Sequence, residues 1–285
     1  MGRFNEIIFS SSARLFALSI IVLAALIAVM LYIEAHEAIN LFGLDFLFSS
    51  KWAPNVEKFG AAGAIISSLI TTFLSMILAL PIALGIAVYL GLMAPKPIKN
   101  TLGALVELLA AVPSVIYGMW GLFFLAPIMR DLVGGNGLGL LTTSIVLAIM
   151  ILPLIASVSR DAIETVPDMM KESAYALGAT MFDTIKNIVL PYAKHAIVGA
   201  AILALGRAIG ETMAAAFVIG SAHKIPDSLL SAGSSIPVVL ANEFTEADSS
   251  IYTSSLFYLA FILFIMSFLC IGAAKLLLIK RKGNK

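Results

Sequence analysis

The segment TVPDMMKESAYALGATMFDTIKNIVLP, residues 165–191, is a polar, charged island in an otherwise strongly apolar chain. Its pattern is that of two short helices joined by a hinge. Thr165 and Asp168 stand three residues apart, as do Thr180 and Asp183. At that spacing a hydroxyl and a carboxylate satisfy the orphan amides that open a helical turn. Gly178 lies between the helices, where a glycine takes the left-handed backbone that ends a helix at little steric cost. Pro191 opens the next apolar run.

Of the 285 residues, 60% are hydrophobic and only 12% charged, and the mean hydropathy of +1.02 is far outside the range of a soluble domain of this length. The expected fold class is an all-α polytopic membrane protein. The 18 basic and 17 acidic residues nearly cancel, so no bulk charge points to nucleic acid and the placement of charges matters more. Cys270 is the single cysteine, which excludes a disulfide framework and a thiolate metal site. His36, His195 and His223 are too scattered along the chain to suggest a metal site. No G-x-x-x-x-G-K-[ST] sequence occurs, so the chain lacks the phosphate-cradling loop of an ATPase and is not expected to be an enzyme.

Six apolar runs account for the hydropathy. The first, 15–33, is long enough to span a hydrocarbon core of about 30 Å. It is too long for the core of a cleavable signal and is followed by Glu34-Ala35-His36-Glu37, a poor cleavage site. Residues 38–59 read as a loop, with Trp52 expected at the membrane–water interface. The second run, 61–93, holds Pro81 and Gly85 and is expected to tilt or kink. The third, 101–129, carries Glu107 and VPSVIYGMWGLF (112–123), where Pro113, Gly118 and Gly121 disfavour a straight helix. Such irregularity at membrane depth is tolerated where backbone is buried in protein or lines a cavity. The fourth run is 138–158, the fifth 192–219 and the sixth 251–278. Between the last two, the loop 220–250 has an apolar middle (229–241) that is too short to cross and suits an interfacial or re-entrant helix.

Lysine and arginine accumulate in cytoplasmic loops. With both termini inside, 13 basic residues, among them Lys96, Lys99, Arg160, Lys171 and Lys186, face the cytoplasm, whereas Lys51, Lys58, Arg130 and Lys224 face outward. This orientation puts the island in the cytoplasm.

Arg207 and Glu211 fall in the middle of the fifth run. An ionised side chain there costs about 2.5–3.5 kcal/mol on insertion scales, so it needs a partner or a wet cavity. At i, i+4 the two share a helical face and can neutralise each other as a structural pair. Arginine also presents a planar, permanently charged fork to a phosphate or similar oxyanion, in which case Glu211 would hold it while no anion is present. Gly206 and Gly210 form a GxxxG pair beside them, expected to let another helix approach closely.

Glu172, Ser173, Ala174, Gly178, Ile188, Leu190 and Pro191 follow the pattern EAA-x3-G-x9-I-x-LP, with serine replacing one alanine. The island thus resembles the cytoplasmic coupling loop of ABC importer permeases. The segments GRAIGETMA (206–214), VPSVIYGMWGLF (112–123) and SSKWAPNVEKFGAAGAI (49–65) narrow the resemblance to PstC-type permease subunits of bacterial phosphate importers. The resemblance implies a type I importer permease fold. It divides the chain into an N-terminal helix and loop (1–60), a five-helix transmembrane domain (61–280) with its coupling loop at 159–191, and a basic tail (281–285). It further implies phosphate import across the bacterial plasma membrane with a PstA-like second permease, a PstB-like ATPase dimer and a PstS-like extracytoplasmic binding protein. ATP and magnesium would be bound by the ATPase, leaving this chain without a cofactor, and Arg207 and Glu211 would take part in transport. The residues alone would also suit a permease for sulfate, molybdate or phosphonate. An ion-coupled secondary transporter or channel using the Arg207–Glu211 pair is the alternative from another class, against which the island argues for an ATPase partner.

Overall fold

The computed structural model describes residues 2–279, with side chains over 9–276. The tail 281–285 and Lys280 lie outside the described residues. Helices make up all the regular structure described, apart from one bridge between Ala53 and Lys58. Among the described residues, six segments are long and apolar enough to cross a membrane: Phe9–Glu34, Ala62–Met93, Ser114–Val133, Leu140–Glu164, Met181–Ile209 and Ser250–Leu276. Six crossings return the chain to the end where it began, so the island end of the bundle also holds the start of the first span and the end of the last.

The centre is the pair α4 (Ala62–Val88) and α8 (Leu140–Glu164). The face α4 buries is a stripe of small residues, with Ser67, Thr71, Ser75, Ala79, Ala83 and Ala87 at every fourth position. Small residues let helix backbones approach, which is what stabilises helix pairs where lipid is as apolar as the side chains. Into this stripe α8 packs Val146, Leu147, Met150, Ile151 and Ile155. Of the most apolar stretch of α8, 61% is buried, whereas none of the corresponding stretch of α1 (Gly2–Glu34) is. That first helix leans on the last, α14 (Ser250–Ile279), with Tyr32 5.9 Å from Phe261 between ring centroids. Residues 38–59 are more ordered than a loop: α2 (His36–Phe42) and α3 (Asp45–Phe48) press a fully buried Phe46 onto Tyr258, centroids 4.5 Å apart.

The third run does not cross as one helix from residue 101. It breaks at Val112-Pro113, between α5 (Lys96–Ala111) and α6 (Ser114–Trp120). Proline lacks an amide and drives the preceding residue to extended backbone, and Val112 has φ −65°, ψ 131°. The Tyr117 hydroxyl spans the break by donating to the Leu109 carbonyl at 2.8 Å. Glu107 therefore lies on α5, outside the crossing segment, and receives Arg160 Nη2 of α8 at 2.8 Å. After α6 the helix widens into a π turn (Gly121–Leu125) and continues as α7 (Ala126–Val133). Two more π turns are described, Tyr89–Met93 after α4 and Ile185–Val189 before α11 (Leu190–Ile209). Each of the three ends two residues before a proline, Pro95, Pro127 or Pro191, whose ring and missing amide disturb the ladder of the preceding turn.

Candidate functional site

Two regions combine polar chemistry with unusual backbone. The island is built from α9 (Asp168–Ala176) and α10 (Met181–Thr184). Of its two expected capping boxes, the second forms: Asp183 N–H donates to Thr180 Oγ1 at 3.2 Å and Thr180 N–H donates back to Asp183 Oδ2 at 3.3 Å. The first does not. Pro167 takes the position before α9 with φ −58°, ψ 135°, and the Thr165 hydroxyl turns back to donate to Ala162 O at 2.7 Å. Asp168 pairs instead with Lys171 Nζ at 2.6 Å, and that hydrogen bond and charge hold its carboxyl below the ordinary range. Gly178 has φ +83°. Its amide donates to Tyr175 O at 2.9 Å and the Ala179 amide to Ala174 O at 3.1 Å, the paired bonds of a Schellman C-cap.

Ala174 is buried, whereas Ser173, the departure from the pattern, is exposed and donates to Met169 O at 2.7 Å, so its hydroxyl disturbs no packing. Glu172 and Pro191 are exposed, and Ile188 and Leu190 half-buried. Around them the island leaves Met169, Leu177 and Phe182 exposed by 75%, 89% and 69%, a concentration of large apolar side chains on a polar segment that marks a contact surface.

The second region is the fifth span, which is not one helix. α11 stops at Ile209; Gly210, Glu211 and Thr212 leave the helical ladder; α12 (Met213–Val218) resumes it. Glu211 Oε1 accepts the Ala214 amide at 3.1 Å, so the carboxylate satisfies an opening amide of α12 and sits at the positive end of a short helix. Arg207 occupies the last turn of α11, the end that favours a cation. None of the ion pairs found among the described residues involves Arg207 or Glu211. The expected mutual pair fails because i, i+4 proximity needs an unbroken helix and the helix ends between them.

The GxxxG expectation also fails within this chain: a Cβ on Gly206 would meet nothing nearer than Ile271 Cδ1 at 3.5 Å, and one on Gly210 only Gly206 O at 3.7 Å. Glycines that do permit close packing beside the break are in the third span. A Cβ on Gly118 would stand 2.7 Å from Phe217 and 2.9 Å from the Ala214 Cα, so α6 lies directly on α12 beside the break.

A third cluster escaped the sequence reading. At the end of the bundle opposite the island, α13 (Ile236–Glu243) forms the short helix expected in the last loop. Its Glu243 is received by three elements at once. Trp52 Nε1 donates to Oε2 at 3.2 Å, the Tyr252 hydroxyl donates to the same oxygen, and His223 Nε2 lies 3.0 Å from Oε1. The Trp52 and His223 rings stack with centroids 5.6 Å apart. Trp52 is thus packed and hydrogen-bonded, and His223, which lies in a loop, is held by the same carboxylate.

The chain's similarities agree with this architecture. It is 42% identical to the "Phosphate transport system permease protein PstC" of Mesorhizobium japonicum, over 97% of this chain and 90% of that protein. It is 40% identical to the protein of the same name from Pasteurella multocida, over 98% and 94%. Among solved structures, an inward-facing form of the MetNI methionine ABC transporter superposes with a TM-score of 0.61 at 22% identity, covering 75% of this chain and 93% of that one. That likeness concerns the fold, which is the type I importer permease fold. Residues 82–281 match the family described as "Binding-protein-dependent transport system inner membrane component". A match over most of the chain, with near-full-length relatives, makes the protein a member of that family of multi-pass inner-membrane permeases, in its PstC branch.

Proposed function

We propose that this chain is the membrane permease subunit of an ATP-driven importer that moves inorganic phosphate into the cytoplasm. It performs no chemistry itself. A separate ATPase dimer hydrolyses ATP with its own magnesium, a second permease chain completes the pathway, and an extracytoplasmic binding protein delivers the anion. The observation that carries the reading is the broken fifth span: a permanent cation at the end of α11, without a carboxylate partner among the described residues, in a chain 42% identical to a phosphate permease.

Arg207 contacts the anion or controls access to it, its fork suiting tetrahedral oxygens. Glu211 keeps α12 started and the break open. Glu172, Ser173, Ala174, Gly178, Ile188, Leu190 and Pro191 present the island to the ATPase, whose closure is passed on as a rigid-body shift between two packings of the spans. The exposed Met169, Leu177 and Phe182 supply apolar area for that contact. The basic residues favour placing the island in the cytoplasm, and on that sidedness residues 1–60, 61–280 and 281–285 act as an N-terminal anchor, the transport domain and a basic tail.

The test is uptake of labelled phosphate into liposomes holding the complete complex, with and without ATP and binding protein, competed with sulfate and molybdate. Dependence on both components with discrimination for phosphate is expected. Uptake without nucleotide would point to a secondary transporter, and preference for sulfate or molybdate would reassign the substrate.

A further inference from the structure

Three hydroxyls in the half of the bundle away from the island are sealed and make no hydrogen bond: Ser67 on α4, and Ser234 and Ser235 before α13, exposed by 0%, 2% and 4%. Buried hydroxyls without partners are costly and native proteins keep few. A helical serine or threonine has an easy escape in the carbonyl one turn back. This chain uses it for Thr71 to Ser67 O at 2.8 Å, Ser144 to Leu140 O at 2.7 Å and Ser255 to Ile251 O at 2.7 Å. Ser67 does not. Its Oγ lies against Gly233, 2.7 Å from where a Cβ on that glycine would stand. Beside it, Ser68 Oγ accepts the Ile236 amide at 2.8 Å, which leaves the Ser68 proton to donate. Ser235 directly precedes α13, yet its side chain makes no cap bond. Ser159, also unpartnered, belongs to α8 in the other half of the bundle.

These hydroxyls lie at the amino end of α13, the positive end of the helix dipole, where Ser68 Oγ takes the Ile236 amide, Ser235 O takes the Val239 amide and Pro237 has none. The acid of that helix, Glu243, is at its other end, about 10 Å away along the axis. Free hydroxyl protons at the positive end of a helix, with no acidic side chain in its first turn, suit an anion with several acceptor oxygens. We propose that the seam of Ser67 and Ser68 against Ser234 and Ser235 is an oxyanion subsite on the transport path, which holds phosphate between the far end of the bundle and Arg207. The inference rests on the phosphate reading and deepens it. In the packing described here the hydroxyls are closed off, so the anion reaches them only when α13 parts from α4.

The test uses the complete complex in liposomes, with Cys270→Ala as background. In Ser67→Cys, a small thiol reagent should label position 67 during ATP turnover, and inorganic phosphate, unlike equal chloride, should slow the labelling. The variant Ser67→Ala/Ser235→Ala removes hydroxyls that hold nothing in the fold. It should assemble with an unchanged or higher Tm and hydrolyse ATP normally, yet import phosphate about tenfold more slowly, so that more ATP is spent per anion. A position 67 that stays unlabelled in every state, labelling indifferent to phosphate, or full uptake by the double variant would overturn the proposal. Should the unmodified complex import no phosphate, the functional reading fails separately, and labelling repeated with sulfate still decides whether the seam holds an oxyanion.

Discussion

The fourth and fifth spans invert what their sequences suggest. α8 carries Pro153 in mid-run and stays one helix over Leu140–Glu164, whereas the fifth span has no proline beyond Pro191 and breaks after Ile209. Inside the bundle, neighbouring helices and local adjustments compensate the bond that Pro153 removes. In the fifth span Glu211 offers the Ala214 amide a better partner than the helix does. Burial divides the same way, 61% of the apolar stretch of α8 against 33% of that of the fifth span. A proline in a fully packed helix is a tolerated defect, while a carboxylate beside a half-covered one makes a break, and the break is where the charges lie.

The strongest way to break that contrast is through Arg207. Arg207→Gln should lower ATP-dependent phosphate uptake, normalised to assembled complex, by about a hundredfold, the scale for removing a charge-stabilising donor from a dry site. Arg207→Lys should fall between, keeping charge without the fork. Because Arg207 and Glu211 are not paired, Arg207→Gln and Glu211→Gln should add in a stability cycle to within about 0.5 kcal/mol. A larger coupling would mean that the two meet in another state of the cycle.

Next in size is the contact that holds α12 in place. Gly118→Ala drives a Cβ to 2.9 Å from the Ala214 Cα, which is backbone and cannot step aside. It should cost about 1–3 kcal/mol, read as a lower Tm of the complex, with uptake reduced alongside. An unchanged Tm would show that α12 is not clamped.

Gly178→Val should disturb the island alone. No atom lies within 4 Å of a Cβ there, so the cost is backbone strain at φ +83°, about 1–3 kcal/mol for a non-glycine residue. Co-purification of the ATPase and ATP-driven uptake should both weaken while the Tm of the spans holds. Intact association would remove the coupling role from this turn.

These outcomes track what the sequence makes legible. Thr180, Asp183 and Gly178 interact within four residues, and the structure reproduces each. Thr165 misleads because Pro167, between it and Asp168, starts α9 itself and leaves Thr165 at the end of α8. The apolar runs show six crossings, yet their hydropathy hardly registers Val112-Pro113, where one run divides into α5 and α6. Arg207 and Glu211 stand out by their cost in a membrane, but pairing them presumes a helix whose end Glu211 itself helps to make. The cluster around Glu243 leaves no local trace, since Trp52 is 191 residues away and only the packing of the last loop on the second span brings them together.

The smallest expected effect isolates the cause of the break. Gly210 sits in it and a glycine is the obvious suspect, but its φ of −89° and ψ of 1° are open to any residue and a Cβ there meets nothing closer than 3.7 Å. Gly210→Ala should therefore leave assembly intact and uptake within about twofold, with a Tm change inside the half kcal/mol typical of substitutions away from special features. Glu211→Ala should cost about 1 kcal/mol, since the Ala214 amide loses its acceptor. Comparing the two by Tm decides between a break set by glycine flexibility and one set by a carboxylate at a helix start. A larger loss from Gly210→Ala would mean that the pair of glycines receives a helix of another chain, returning the GxxxG motif to a packing role at the interface between permease subunits.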